Sequence, residues 1–157
     1  IDSLLFIKSL HESFGHIQEV IMQNFSPKNG TSMSRHPAPT REYFMRAVAI
    51  ARILMPDMNI QVPPNLNESF EDYIDVGIND WGGISPVTID YVNPEHPWPS
   101  IEHVNRVSSR KGFQLKARLP VYPEFFKNGR SFVSNRVRAS IEALSNDEGL
   151  VKESYLN

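Results

Sequence analysis

Apolar residues recur along the chain at helical spacing, with short β-branched runs between them. In residues 2–15, Leu4, Leu5, Ile7, Leu10 and Phe14 share one face at a spacing near 3.6. Asp2 or Ser3 can cap this helix and Gly15 can stop it, and its apolar face is expected to lie buried against a sheet. Residues 16–25 predict a strand, since Ile17, Val20, Ile21, Met22 and Phe25 are branched, aromatic or long apolar types; Gln23 and Asn24 end it. Thr40 caps a second helix with Phe44, Val48, Ala51, Ile53 and Leu54 inward, and Pro56 breaks it.

The same alternation continues. Residues 59–62 read as a short strand, closed by Pro63-Pro64 because proline cannot continue a ladder, and Gln61 and Asn65 flank that stop. Asn67 is expected to cap a short helix to about Asp75, with Phe70, Tyr73 and Ile74 inward. A helix follows Ser100 and runs to about Lys111; then come Gly112, a strand over 113–119 and Pro120. Residues 131–144 predict a last amphipathic helix with Phe132, Val133, Val137, Ile141 and Leu144 inward. Alternating helices and strands at these intervals predict an α/β fold of about four βα units on a parallel sheet. That is either a small open sheet or half of a (β/α) TIM-type barrel, whose full length is about 250 residues. The chain opens inside a helix without an initiator Met, so a truncated half-barrel is expected over residues 1–145, with 146–157 a polar tail or linker.

Composition narrows the class. With 157 residues, 40% hydrophobic and 22% charged, the chain is long enough for one ordinary core. A net charge of -2, a pI near 6.2 and the lack of a basic stripe argue against nucleic acid as a partner. No apolar run reaches the roughly 18 residues of a membrane span, and no signal-peptide pattern opens the chain, so a cytoplasmic setting is expected. There is no cysteine, which removes disulfides and thiolate ligation. His11, His16, His36, His96 and His103 show no ligand-pair spacing, so no metal site is expected from this chain alone. G-x-G-x-x-G, a P-loop and G-x-S-x-G are also absent.

The densest stretch is residues 77–99, which holds Asn79, Asp80, Trp81, the pair Gly82-Gly83, Ser85, Asp90 and Trp98 between several prolines. Glycines there let backbone approach a ligand closely or take a positive φ. A tight loop whose tryptophans fill core is the competing explanation. Asp80 and Asp90 can be a carboxylate pair, or Asp90 a structural cap. Polar residues at strand ends in α/β proteins line ligand crevices or cap loops.

The blocks 77–88 (Gly-Ile-Asn-Asp-Trp-Gly-Gly-Ile-Ser-Pro-Val-Thr), Val92-Asn93-Pro94-Glu95, Pro97-Trp98-Pro99, 18–25, 61–66 and 118–123 together resemble the 7,8-didemethyl-8-hydroxy-5-deazariboflavin (FO) synthase family of radical S-adenosylmethionine enzymes, in particular the half that closes the deazaflavin ring. The resemblance covers most of the chain. It implies a radical SAM barrel holding a [4Fe-4S] cluster on a C-x-x-x-C-x-x-C loop, with S-adenosylmethionine as the radical source. The implied substrate is a tyrosine-derived adduct of 5-amino-6-ribitylaminouracil, cyclised with loss of ammonia. A partner subunit or domain would join tyrosine to the uracil. Because this chain has no cysteine, the cluster ligands are expected before Ile1 in a missing N-terminal half-barrel, and this piece alone is expected to be inactive. Carried onto this chain, the resemblance makes Asp80 the candidate proton acceptor or charged contact. Gln23, Asn24, Gln61, Asn65, Asn79, Trp81 and Ser85 become candidates to bind substrate or S-adenosylmethionine. A cysteine-free, non-catalytic half-barrel that binds or scaffolds another subunit is the alternative.

Overall fold

The computed structural model describes residues 1–156 except 68, 86 and 128–131. Pro86 of the central stretch, Ser131 at the expected start of the last helix, and the final residue of the tail therefore lie outside the described residues. The chain divides into two compact units, Ile1–Phe113 and Gln114–Asn157.

The first unit is mixed α/β. Helix α1 spans Asp2–Phe14 and ends as expected, with Gly15 at φ 62 donating its N–H to the His11 carbonyl at 2.7 Å. Its apolar face is not buried against a sheet, however. No α1 residue is buried, and Phe14 is 67% exposed. Strand β1, Glu19–Ile21, is much shorter than residues 16–25, because only those residues find a ladder partner. That partner is β2, Asn59–Gln61, in parallel register with Val20 opposite Ile60. Between them α2, Arg41–Leu54, begins where Thr40 Oγ1 accepts from the Tyr43 N–H at 3.2 Å. It buries Phe44, Val48 and Ala51 but leaves Ile53 exposed, since Ile53 lies off the stripe that meets β2.

A third parallel segment lies against β2 at Asn79 and Asp80. The Asn79 N–H donates to the Ile60 carbonyl at 3.1 Å, and the Val62 N–H to the Asp80 carbonyl at 3.3 Å. The expected helix beginning at Asn67 is reduced to α3, Asp72–Asp75, and Asn67 does not cap it. Helix α4, Ile101–Arg110, starts where Ser100 Oγ accepts from the His103 N–H at 3.1 Å. Val48, Ala51, Ile60, Val62 and Val104 have no exposed surface and form the centre of this unit's core. Phe70 completes it through edge-to-face contacts at 5.3 Å with Trp81 and 5.6 Å with His103.

The expected strand over 113–119 does not form. Residues 113–119 form no strand and contribute a single antiparallel bridge, Arg118 to Leu150, inside the second unit. That unit holds α5, Asn135–Leu144, and a small core of Leu119, Phe126 and Ile141. Residues 146–156 fold back on it through the Ser145–Val151 and Arg118–Leu150 bridges and a turn over Glu153–Tyr155. Among the described residues the sheet has two strands plus the Asp80 bridge, rather than the four strands of half a barrel. No described helix is long and apolar enough to cross a membrane.

Candidate functional site

The three parallel segments all run in one direction, so the residues that follow each of them collect at one end of the sheet. After β1 come Gln23 and Asn24; after β2, Asn65 and Asn67; after the Asp80 bridge, Trp81 and the glycine pair. This is the carboxyl end, where α/β sheets place their ligand crevices.

Asn24 and Asn67 join the first two strand ends. Asn24 Nδ2 donates to Asn67 Oδ1 at 3.0 Å, and the Tyr73 hydroxyl donates to the same oxygen at 2.8 Å. Burial of this phenol raises its pKa, which keeps the hydroxyl protonated as a donor. Asn24 Oδ1 and Asn67 Nδ2 are buried and have no hydrogen-bond partner among the described residues. Gln23 is exposed.

Asn65, buried in the turn Pro64–Leu66, ties the second strand end to the central stretch. Its Nδ2 donates to Asp90 Oδ2 at 2.9 Å and to the His96 carbonyl at 3.3 Å. Asp90 also accepts from Asn93 Nδ2 at 3.0 Å and from the Val92 and Asn93 N–H groups at 2.9 and 3.1 Å. These bonds, the Asn93 side chain first, hold its carboxyl at a pKa of about 2 against the opposing effect of desolvation. Lys28, from the loop after β1, pairs with Glu95 and lowers that carboxyl's pKa.

Gln61 is buried with its amide against Gly82. Gly82 has φ 77, which favours glycine, and a Cβ there would stand 2.7 Å from Gln61 Cδ, so a side chain would also push the buried Gln61 amide aside. Asp80 Oδ1 accepts from the Gly82 N–H at 2.5 Å, closing the turn that brings backbone over Gln61. Trp81 points into the core, where its Nε1–H donates to Ser108 Oγ at 3.2 Å. Ser85 Oγ accepts from the Thr88 N–H at 3.0 Å within its own turn.

Asn79 faces elsewhere. Its Oδ1 accepts from the Ile60 N–H at 2.8 Å and from Arg52 Nη2 at 3.1 Å, and its Nδ2 donates to Asn59 Oδ1 at 3.0 Å. It clasps β2 to the third segment. Of the candidate residues, then, Asn24, Gln61, Asn65 and Asp80 gather around strand ends. Trp81, Ser85 and Asn79 are engaged in core, turn and sheet.

Sequence reasoning missed Asn67, Asp90's true partners and Arg52. The Asp90-x-x-Asn93 spacing, an aspartate whose carboxylate accepts from backbone N–H groups two and three residues on, is the signal that was available.

The geometry can be set beside known proteins. No protein-family model matches the chain, and no solved structure matches it. Among curated proteins, the 7,8-didemethyl-8-hydroxy-5-deazariboflavin synthase of Methanopyrus kandleri is 49% identical over 147 residues, 93% of this chain and 43% of that protein. The chain is homologous to part of these synthases. The Methanothermobacter thermautotrophicus synthase is 46% identical over 144 residues, 91% of this chain and 43% of its own length. That of Archaeoglobus fulgidus is 50% identical over 126 residues, 80% of this chain and 39% of its own length. The chain thus spans less than half the length of the synthases it matches. The residues of this chain do not fit an iron–sulfur cluster: it has no cysteine, and no group of three His, Asp or Glu side chains gathers as a metal site among the described residues.

Proposed function

We propose that this chain is the substrate-facing, C-terminal part of a radical S-adenosylmethionine FO synthase. In this reading the complete protein closes the deazaflavin ring of the hydroxybenzyl adduct of 5-amino-6-ribitylaminouracil, with loss of ammonia. The observation that carries it is identity of 46–49% to named synthases over more than nine-tenths of the chain. The three parallel segments in chain order, with α2 crossing between the first two, are compatible with a portion of a (β/α) barrel. Cluster ligands must come from sequence outside this chain, because no side chain here can replace a thiolate set.

The carboxyl end of the sheet supplies binding groups. Amides of Asn24, Gln61 and Asn65 match the alternating donors and acceptors of a pyrimidinedione and the hydroxyls of a ribityl chain, with Gln23, Asn79, Trp81 and Ser85 as supporting positions. Asp80, turned toward the glycine pair, takes the role of charged contact or proton acceptor. S-adenosylmethionine would share this end of the sheet, and a separate subunit or domain would supply the tyrosine–uracil adduct.

The test is to produce the complete protein anaerobically with iron and sulfide, provide the adduct-forming partner, and record cluster absorbance and fluorescent deazaflavin. Product formation, abolished or strongly reduced by Asp80→Ala, is expected. Unchanged turnover in Asp80→Ala removes Asp80 from the reaction. The absence of cysteine favours one second reading, a non-catalytic binding half that serves another subunit. A complete coding sequence lacking C-x-x-x-C-x-x-C would establish that reading in place of the first.

A further inference from the structure

Asn65 is an amide whose orientation is dictated by its neighbours. Both partners of its Nδ2, the Asp90 carboxylate and the His96 carbonyl, can only accept. Turning the amide over would set Oδ1 against two other oxygens, one of them charged, so nitrogen must occupy its present place. Asp90 enforces this from a rigid seat, since Val92, Asn93 and Asn65 together donate four hydrogen bonds to it. At the far side of the same amide, Asn65 Oδ1 is left as an acceptor that cannot become a donor. It is buried and has no partner among the described residues, while the side chain as a whole belongs to a residue only 8% exposed. Buried polar atoms are as a rule paired, and one left open beside a strand end calls for an explanation.

We propose that Asp90 is a positioning residue that locks Asn65 as an obligate hydrogen-bond acceptor for the imide N–H of a pyrimidinedione ligand. This deepens the functional reading above and rests on it. The locked polarity selects the ligand group. A sugar hydroxyl donates or accepts equally well and needs no fixed partner. A ligand ammonium would be better served by a carboxylate, and the carboxylate nearby is already saturated by four donors. An imide N–H is neutral and only donates, so it is the group that a fixed, neutral, buried acceptor recognises best.

Calorimetric binding to the complete protein tests this with two probes, the hydroxybenzyl adduct of 5-amino-6-ribitylaminouracil and the same compound methylated at the imide nitrogen. Wild type should prefer the unmethylated compound by about tenfold or more, because methylation removes the donor and leaves the acceptor buried and unpaired. Asn65→Ala should lose that preference. Asp90→Asn should shrink it, since an amide at 90 lets Asn65 turn, and should raise KM more than it lowers kcat. Circular dichroism melting establishes that each variant is folded, and the wild-type comparison needs no variant. Equal affinity of wild type for both probes, with deazaflavin still produced, overturns the assignment of Asn65 while leaving the functional reading intact. Binding of neither probe overturns both.

Discussion

Arg52 offers the sharpest test of how the sheet is held. From the last turn of α2 its Nε donates to the Gly77 carbonyl at 2.6 Å, its Nη1 to the Pro56 and Met58 carbonyls, each at 2.7 Å, and its Nη2 to Asn79 Oδ1 at 3.1 Å. One guanidinium therefore gathers the helix exit, the start of β2 and the turn before the third segment. Desolvation lowers its pKa, with Asp57 opposing, so the surroundings are partly dry. Arg52→Met keeps the stem and removes every donor. Hydrogen bonds to a charged group contribute about 1.5–3 kcal/mol each. The Pro56 carbonyl is exposed and water can replace that bond, which leaves the part-buried bonds to Gly77 and Met58 as the main loss. Allowing water to recover roughly half of the gross value of these two bonds gives an expected destabilisation of about 1.5–3 kcal/mol. Urea unfolding of the purified protein, read as a shift in midpoint at constant slope, measures it. Arg46→Met, on the exposed face of the same helix, should change stability by less than about 0.5 kcal/mol. An Arg52→Met effect as small as that of the control would refute the idea that this side chain clamps the sheet.

Two further outcomes follow from the strand ends. Gly82→Ala should destabilise by about 1–3 kcal/mol, from its positive φ and the collision with Gln61, whereas Gly83→Ala, which meets nothing within 4 Å, should be close to neutral; equal thermal shifts in the two variants would contradict the packing of Gln61. Asp90 makes stability acid-sensitive. Its folded-state pKa of about 2 lies below the ordinary 3.8, so its contribution is complete above roughly pH 4 and is lost as pH falls through 2. The stability difference between wild type and Asp90→Asn should accordingly narrow between pH 5 and pH 2, and a gap that stays constant would show that the carboxylate's charge is not what holds the knot.

Much of the local structure was legible because it depends on neighbours in sequence. Thr40 caps α2 through a hydroxyl that receives the N–H three residues on, and Gly15 stops α1 with a positive φ. Strand extent was not legible, because a β-branched run becomes a strand only where a partner lies alongside. Residues 16–25 yield three strand residues, and 113–119 yield a lone bridge. Polar residues at strand ends were legible, and Asn24 and Asn65 each carry an unpaired buried amide atom there. Their partners were not, since Asn24 with Asn67 and Asn65 with Asp90 lie 43 and 25 residues apart, and nothing in the pattern of either segment specifies the other. The sheet contacts of Asn79 were not legible either: it satisfies the Ile60 N–H and receives Arg52, partners 19 and 27 residues away.

Trp81 gives the molecule a built-in optical reporter. Its indole is shut away from water between Phe70 and the Ser108 hydroxyl, one residue before the glycine turn, while Trp98 is half-buried beyond that turn. The two should therefore emit at different wavelengths, Trp81 toward the blue. Quenching or a colour change confined to the blue component would register events at the sheet mouth in real time, without any label attached to the protein.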